Sequence, residues 1–281
     1  MATANKTIRR VKSRDLSDVP DQNKGNDGVK LQDKYEMYSI PDNSNGEFLP
    51  IRTIGGVVAT KTHWLMIETK EGKQISIPQA CLNFDPEEQA IDDSRGCPFC
   101  KAENWFKSNE VTAKDSKGRE NNPARSSLEY ITNAIIRELQ EDITPRITLD
   151  SEKESGIIQK GSKSKTPVRV VRLTGGVVSK FKDVEKLNVH KVKIKGQLER
   201  RSMPVSHTKY GRDVLVKFNP KAKSASDFYA VQGGDKSALD EAELKYLKWD
   251  IEAWPFENEA KSQKDAESEV ARFKGKHWDK Y

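Results

Sequence analysis

Apolar residues are sparse and without period from residue 1 to about 45, where Asp, Asn, Lys and Ser dominate, so this stretch reads as a flexible arm. From Phe48 the pattern changes. IRTIGGVV, HWLMIET and KQISIP are short runs rich in β-branched residues, and Lys70-Glu71-Gly72-Lys73 reads as the hairpin turn before the third run. Cys81 to Gly96 is acidic and loop-like, and KAENWFK after it has the apolar spacing of one or two helical turns. Ser108 to Ser127 is polar and reads as a surface loop. Tyr130 to Leu139 fits neither the helical nor the strand period cleanly, and its β-branched content favours a strand.

The second half repeats this alternation of short apolar runs and long polar connections. Asp150 to Thr166 reads as a mobile basic loop and VRVVRL as a strand. Gly175-Gly176 is read as a turn leading into a short helix over Phe181 to Leu187, and Gly55-Gly56 as a turn or bulge. Lys191 to Arg201 is basic strand or loop. DVLVKF and FYAVQ resemble a hairpin with a wide loop. Ser237 is a candidate N-cap for a helix over ALDEAELKYLKWD, and beyond Pro255 the chain reads as frayed or loosely helical. The whole predicts a mainly β protein with short helices, an OB-fold-like Greek-key barrel over residues 46–235, flanked by the arm at 1–45 and a helical and polar segment at 236–281.

Three cysteines cannot close a set of disulfides, and Cys97-Pro98-Phe99-Cys100 has the spacing of a metal knuckle. The two-residue gap lets both sulfurs face one point. Cys81 supplies a third ligand and a histidine must complete the set. His63 lies nearest and sits among strands that feed the same loop; His190, His207 and His277, in or beyond the basic half, are poorer choices. This predicts one structural zinc ion in an inserted subdomain spanning about 60–107. The set has no open coordination position, lacks the HxE of zinc deaminases and lacks the βαβ context of redox CxxC motifs. No P-loop, GxSxG, HExxH or dinucleotide fingerprint occurs, so no catalytic role is expected.

Charge divides the chain. The net charge is +6, but Lys160 to Lys223 carries 18 lysines and arginines against four acids, a surplus of 14, while Asp235 to Tyr281 has nine bases and twelve acids. Such a local surplus is the electrostatic footprint of a polyanion binder, although a solvated Lys-rich surface has the same composition. Lys180, Lys182, Lys186, Lys191, Lys193, Lys195, Arg200 and Arg201 are the candidate phosphate contacts. Tyr130, Tyr210 and Tyr229 are the candidate stacking residues, whereas Phe181 and Phe218 fall at apolar-phase positions and read as packing. Arg9, Arg10, Lys12, Ser13 and Arg14 form a second basic cluster within the arm. With a mean hydropathy of −0.81, no apolar run long enough for a membrane span and no secretory pattern, the expected location is a cytoplasm.

The order His63, Cys81, CPFC, YITN, VRVVRLTGGVVSKFKDVEKL and YGRDVLVKF…FYAVQ resembles the single-stranded DNA-binding proteins of T-even and related large tailed bacteriophages, over roughly Phe48 to Gln232. The resemblance implies an OB-fold with a His-Cys-Cys-Cys zinc subdomain, which favours His63 as fourth ligand. It places Tyr130 in a DNA cleft. It implies a protein that coats unpaired DNA in phage replication, recombination and repair in the bacterial host cytoplasm. It also implies that Arg9 to Arg14 drive cooperative contact with neighbouring copies. The family's long acidic tail, which recruits replication and recombination proteins, is replaced here by mixed charge ending in HWDKY. Two other readings stand beside this one: a zinc-stabilised accessory subunit of a replication or transcription complex that binds duplex DNA or a polymerase, and a metal-dependent enzyme, which would need an unfilled zinc position.

Overall fold

In the computed structural model the two runs IRTIGGVV and HWLMIET belong to one strand. Residues 35–38, 40, 47–69, 71–114, 118, 120–142, 157–158, 166–219, 221, 228–246, 248–254, 262–273, 275 and 277–281 are described. A short β1 (Met37–Tyr38) precedes β2 (Leu49–Glu68), twenty residues long, which turns back into β3 (Gln74–Ala80). Gly72, at φ +75°, makes the turn, and Gly55, at φ +86°, sits where the β2 register shifts between Thr53 and Val57. That bulge is why the sequence reads as two strands. A side chain at positive φ is strained, so glycine is suited to such a point.

The knuckle region follows with β4 (Phe84–Asp85), β5 (Ala90–Ile91) and α1 (Pro98–Ser108), and a small ladder of β6 (Ala113–Lys114) with β7 (Glu120–Asn121). The chain then enters β8 (Ser126–Ile136), which passes directly into α2 (Arg137–Asp142). Next come β9 (Ile157–Ile158), β10 (Val168–Thr174), α3 (Gly175–Leu187), β11 (Val189–Ile194) and β12 (Gln197–Ser202). The chain continues through β13 (Arg212–Phe218), β14 (Tyr229–Lys236), β15 (Lys248–Trp249) and α4 (Gln263–Val270).

The main sheet has the order β1-β10-β8-β2-β13-β14, with β3 also paired to β2. All pairings are antiparallel except β1 with β10. Among the described residues no pairing joins β1 to β14, so the strands form an open, mixed α/β arrangement and not the closed barrel that the alternation of strands suggested. No helix among the described residues is long and apolar enough to cross a membrane.

Both faces of this sheet are buried. Val57, Ala59, Tyr130, Ala134, Val171 and Leu173 pack on one side with Phe181 of α3 and Phe99 and Phe106 of α1. Their neighbours Val58, Ile131, Ile135, Val168 and Val170 pack on the other, against Tyr246, Trp249, Ile251 and Trp254. A strand buried on both sides loses its alternation and reads as a continuous apolar run, which explains why YITNAII matched no period.

The residues covering the second face come from the segment expected to be polar and helical. Asp240 and Glu243 exchange hydrogen bonds with each other's backbone amides at 2.8 and 3.0 Å, a reciprocal cap that opens a single 3-10 turn over Glu243–Lys245. No helix runs on from Ser237. Asn133 instead grips the Trp249 backbone from both sides, accepting from its N–H at 2.8 Å and donating to its carbonyl at 3.1 Å. Residues 255–261 lie outside the description, but α4 and the last residues pack on α1: Trp278 meets Phe106 edge-on at 5.0 Å, and His277 and Trp278 both donate to the Met66 carbonyl at 2.6 Å. A loosely held carboxyl-terminal segment is therefore corrected for the described residues.

The α3 helix begins at Gly175, six residues earlier than expected. Val177, Val178, Phe181, Val184 and Glu185 share one buried stripe at helical spacing, and packing of that stripe outweighs the low helix propensity of two glycines in the first turn.

Candidate metal centre

His63, Cys81, Cys97 and Cys100 come from β2, the end of β3 and the start of α1. His63 is 0 % exposed, Cys97 1 % and Cys81 2 %, with Cys100 half-buried. The approach to the knuckle is shaped locally. Asp92 caps a 3-10 turn over Asp93–Arg95 by accepting from the Ser94 amide at 3.1 Å, Arg95 pairs with Asp85 and Asp92, and Gly96 at φ +68° ends the turn. Cys97 then takes the N-cap position of α1, with Pro98 in the first turn, so the helix presents the positive end of its dipole to the Cys97 and Cys100 sulfurs.

The four ligand atoms lie within 4.8 Å of one another. Cys81 and Cys100 Sγ are 3.6 Å apart, too far for a disulfide, and His63 Nε2 lies 3.3 Å from Cys100 Sγ and 3.8 Å from Cys97 Sγ. Tetrahedral coordination with metal–sulfur bonds of about 2.3 Å and a metal–nitrogen bond of about 2.0 Å requires sulfur–sulfur separations of about 3.8 Å and sulfur–nitrogen separations of about 3.5 Å. The three contacts at 3.3, 3.6 and 3.8 Å are near the edges of such a tetrahedron, and the donor set can hold a metal ion such as zinc.

The surroundings select the ligating tautomer. His63 Nδ1 donates to the Ala124 carbonyl at 3.1 Å, which turns the Nε2 lone pair toward the sulfurs, and Glu103 lies 3.7 Å from the same Nδ1. Glu103 also accepts from the Ser126 amide at 2.8 Å, tying α1 to β8. Lys61 Nζ is 4.0 Å from Cys100 Sγ, a cation beside the thiolates. Burial opposes charge on His63, yet the Cys81 and Cys97 sulfurs outweigh it and push its pKa up to about 10. Hydrogen bonds from Cys100 and Cys81 pull the Cys97 thiol down, while the same neighbours push Cys100 up. Three sulfurs this close share protons unless a cation takes their place.

The predicted nucleic-acid residues that the structure describes lie on several different elements. Tyr130 is 1 % exposed and packs in the core beneath α3, so it has no face to offer a base; a two-sided sheet absorbed it. Asn133 of the same YITN motif serves Trp249. Tyr229 is half-buried and stacks on Phe218 at 4.8 Å, and its carbonyl accepts from Lys180. Phe181 is 0 % exposed, as packing required. Lys182 and Lys186 lie on α3, where Lys186 pairs with Asp183 at 3.0 Å.

Lys193, Lys195, Arg200 and Arg201 fall on the β11–β12 hairpin, with Arg201 paired to Glu199 at 2.9 Å. Tyr210 sits in the loop before β13, between two histidines. Arg9, Arg10, Lys12, Ser13 and Arg14, together with the basic loop at Asp150 to Lys165, lie outside the described residues apart from the short β9. The sequence reading missed His190 and His207 as partners of Tyr210, and Lys61 and Glu103 beside the cluster. The position of Glu103, one helical turn beyond Cys100, was the available signal for the last. No protein-family model matches the chain, and no curated protein matches it.

Proposed function

We propose that this protein binds single-stranded nucleic acid, coating unpaired DNA without catalysing a reaction, and that one structural zinc ion held by His63, Cys81, Cys97 and Cys100 fixes its fold. The observation that carries the reading is the β11–β12 ribbon. Among the described residues its strands pair only with each other, through a two-residue turn in which Lys195 and Gly196 both have positive φ, 48° and 89°. Cross-strand pairs put Lys191 opposite Arg200 and Lys193 opposite Leu198 on one face, while Val192 of the other face is buried. Lys191, Lys193, Lys195 and Arg200 are exposed and make no side-chain hydrogen bond or ion pair among the described residues. Like charges set side by side repel, and a row of phosphates relieves that repulsion while releasing counterions.

The resemblance to phage single-stranded DNA-binding proteins supports the same reading, as does a donor set with no corner left for water. The finer architecture belongs to the proposal too. A long β2, bulged at Gly55 and shared between β8, β13 and β3, is the corner strand on which an OB-like barrel would turn. A second reading draws on the ribbon itself: a two-stranded β-ribbon also fits the major groove of duplex DNA, as an accessory subunit of a replication or transcription complex would require.

Competition between a labelled oligothymidylate and its duplex separates the two readings. The single strand is expected to win clearly, with affinity falling steeply as salt rises. Replacing Lys191, Lys193 and Arg200 together by Ala is expected to weaken binding about 100-fold at low salt and to flatten the log–log salt slope by about 2, since each phosphate contact on a single strand contributes about 0.7. Equal affinity for duplex, or a triple variant that binds as wild type does, overturns the reading.

A further inference from the structure

His190, Tyr210 and His207 form a ladder of three half-buried rings, which no part of the metal centre or the outer face of the ribbon uses. The centroid of Tyr210 is 5.2 Å from that of His190 and 5.1 Å from that of His207, with interplanar angles of 48° and 43°. Lys209 Nζ lies over the Tyr210 ring at 5.3 Å. A phenol flanked by two imidazoles and capped by a cation offers π faces and positive charge in one place, the two requirements of a single-strand subsite.

The ladder is held in position by the fold beneath it. His207 Nδ1 accepts from the amides of Lys209 and Tyr210 at 3.1 Å each, which closes the loop on its own side chain. Arg52, buried in β2, donates to the His207 carbonyl at 2.8 Å, and the Gly211 amide donates to that same carbonyl at 2.8 Å. A Cβ at Gly211 would overlap Arg52 and the carbonyls of Val205 and His207, so the loop can close this tightly only with glycine there. On the other side, Asn188 donates to the carbonyls of Tyr210 and Met203 at 2.9 and 2.8 Å and accepts from His190 Nε2 at 3.0 Å. Rings fixed in this way lose little freedom when a base stacks on them.

The charges that act on His190 from β13 and β14 are cationic, whereas the nearby acids are engaged, Glu185 of α3 accepting from the Val205 amide at 3.1 Å. Arg201 of β12 lies directly across the ribbon from His190, with Glu199 engaged by Arg201. Arg212 of β13 donates to the Gly234 carbonyl and Lys236 of β14 to the Val189 carbonyl. Partial burial, then the charges of Lys236 and Arg212 and the neighbouring His207, hold His190 below its ordinary value. A bound phosphate reverses the sign of that field and favours proton uptake.

We propose that the His190–Tyr210–His207 ladder is a proton-linked stacking subsite for single-stranded nucleic acid, at which a base lies on the rings and the adjoining phosphates draw positive charge onto His190, while His207, whose Nδ1 accepts two backbone amides, holds the loop in place. It lies on the opposite face of the ribbon from Lys191 and Arg200 and rests on the polynucleotide-binding reading. Because binding takes up protons, affinity rises as pH falls through the histidine range.

The test is a fluorescence-anisotropy titration of an oligothymidylate at about pH 8 and about pH 6.2, at constant ionic strength. Thymidylate itself gains no charge in this window. Wild-type protein is expected to bind about fivefold more tightly at the lower pH. The double variant His190→Gln, His207→Asn is expected to show a flat profile, and Asn can keep the loop by accepting the same two amides. The single variant His190→Gln is expected to flatten the profile in the same way and serves if the double variant melts early.

Wild-type binding that ignores pH, or a double variant that keeps the full fivefold change, overturns the ladder and leaves the polynucleotide reading intact. Failure to bind the oligonucleotide at either pH overturns both.

Discussion

The metal centre and the β11–β12 ribbon lie in the same chain and obey opposite rules. The first gathers four residues of rare type into a pocket from which water is excluded, with three of the four donors nearly inaccessible. The second spreads common residues over an exposed surface, and among the described residues its strands join no other strand. Burial makes each donor indispensable, because a thiolate or imidazole taken out of water must be compensated. Exposure makes each lysine replaceable, because water screens it and its neighbours share the work. The difference teaches that a buried cluster concentrates its effect in a few positions, whereas an exposed charged ribbon can act only through many residues together.

The sharpest way to break that contrast is to remove the ion that these four donors can hold. Chelation, or Cys97→Ser, is expected to produce the largest effect of any change considered: loss of bound metal and a fall in thermal stability large enough to unfold the knuckle. Trp278 and Tyr281 pack on Phe106 and Trp105 of α1, so tryptophan emission should shift as the knuckle loosens. Metal content and emission recorded on one sample check this. A chelated protein with an unchanged melting curve would show that the sulfurs need no ion.

A smaller effect is expected at a polar junction away from both regions. Arg137 forms a two-pronged pair with Asp213, at 2.8 and 2.9 Å, and also bonds Glu243, which is only 6 % exposed. Arg137→Met leaves Glu243 with its charge uncompensated and should cost about 2–3 kcal/mol by denaturant unfolding. Burial opposes ionisation of Glu243, but Gln140, the Asp240 amide and Arg137 together hold its carboxyl below the ordinary range. A lowered folded-state pKa adds stability that is present above the unfolded value and lost as pH falls through the folded one. The gap between wild type and variant should therefore narrow in acid, and a constant gap would deny Glu243 its part in the junction.

The smallest expected effect concerns the ribbon's supporting helix. Gly176 has helical geometry in the first turn of α3, with nothing within 4 Å of the Cβ it lacks. Gly176→Ala should stabilise by about 0.5 kcal/mol through loss of unfolded-state entropy, without altering oligonucleotide affinity. A destabilised variant would mean that this glycine serves close approach and not merely helix entry.

The legibility of the two regions follows the same physics. CPFC and Cys81 stood out because cysteine is scarce here and metal geometry restricts spacing. His63 was reachable because it lies on the strand that feeds the knuckle. The ribbon was visible only as a charge surplus over Lys191 to Arg201, since composition does not say which lysines share a face. Tyr130 was misread for a related reason: a phenol tolerates both core and cleft, and only packing on both sides of β8 decides between them. His190 and His207 were set aside as weaker metal ligands, and nothing in their spacing revealed that Tyr210 would come to lie between them.

By itself the sequence determined the strand-rich core, the donor set and the sign of the charge on the second half, because these depend on residue type and short-range spacing. Only the tertiary structure decided the open sheet, the covering of its second face by Trp249 and Trp254, the burial of Tyr130 and the meeting of three rings beside the ribbon. Each of these is a contact between residues far apart in the chain. The free energy that selects such contacts comes from removing surface from water, and no local pattern encodes which surface will be removed.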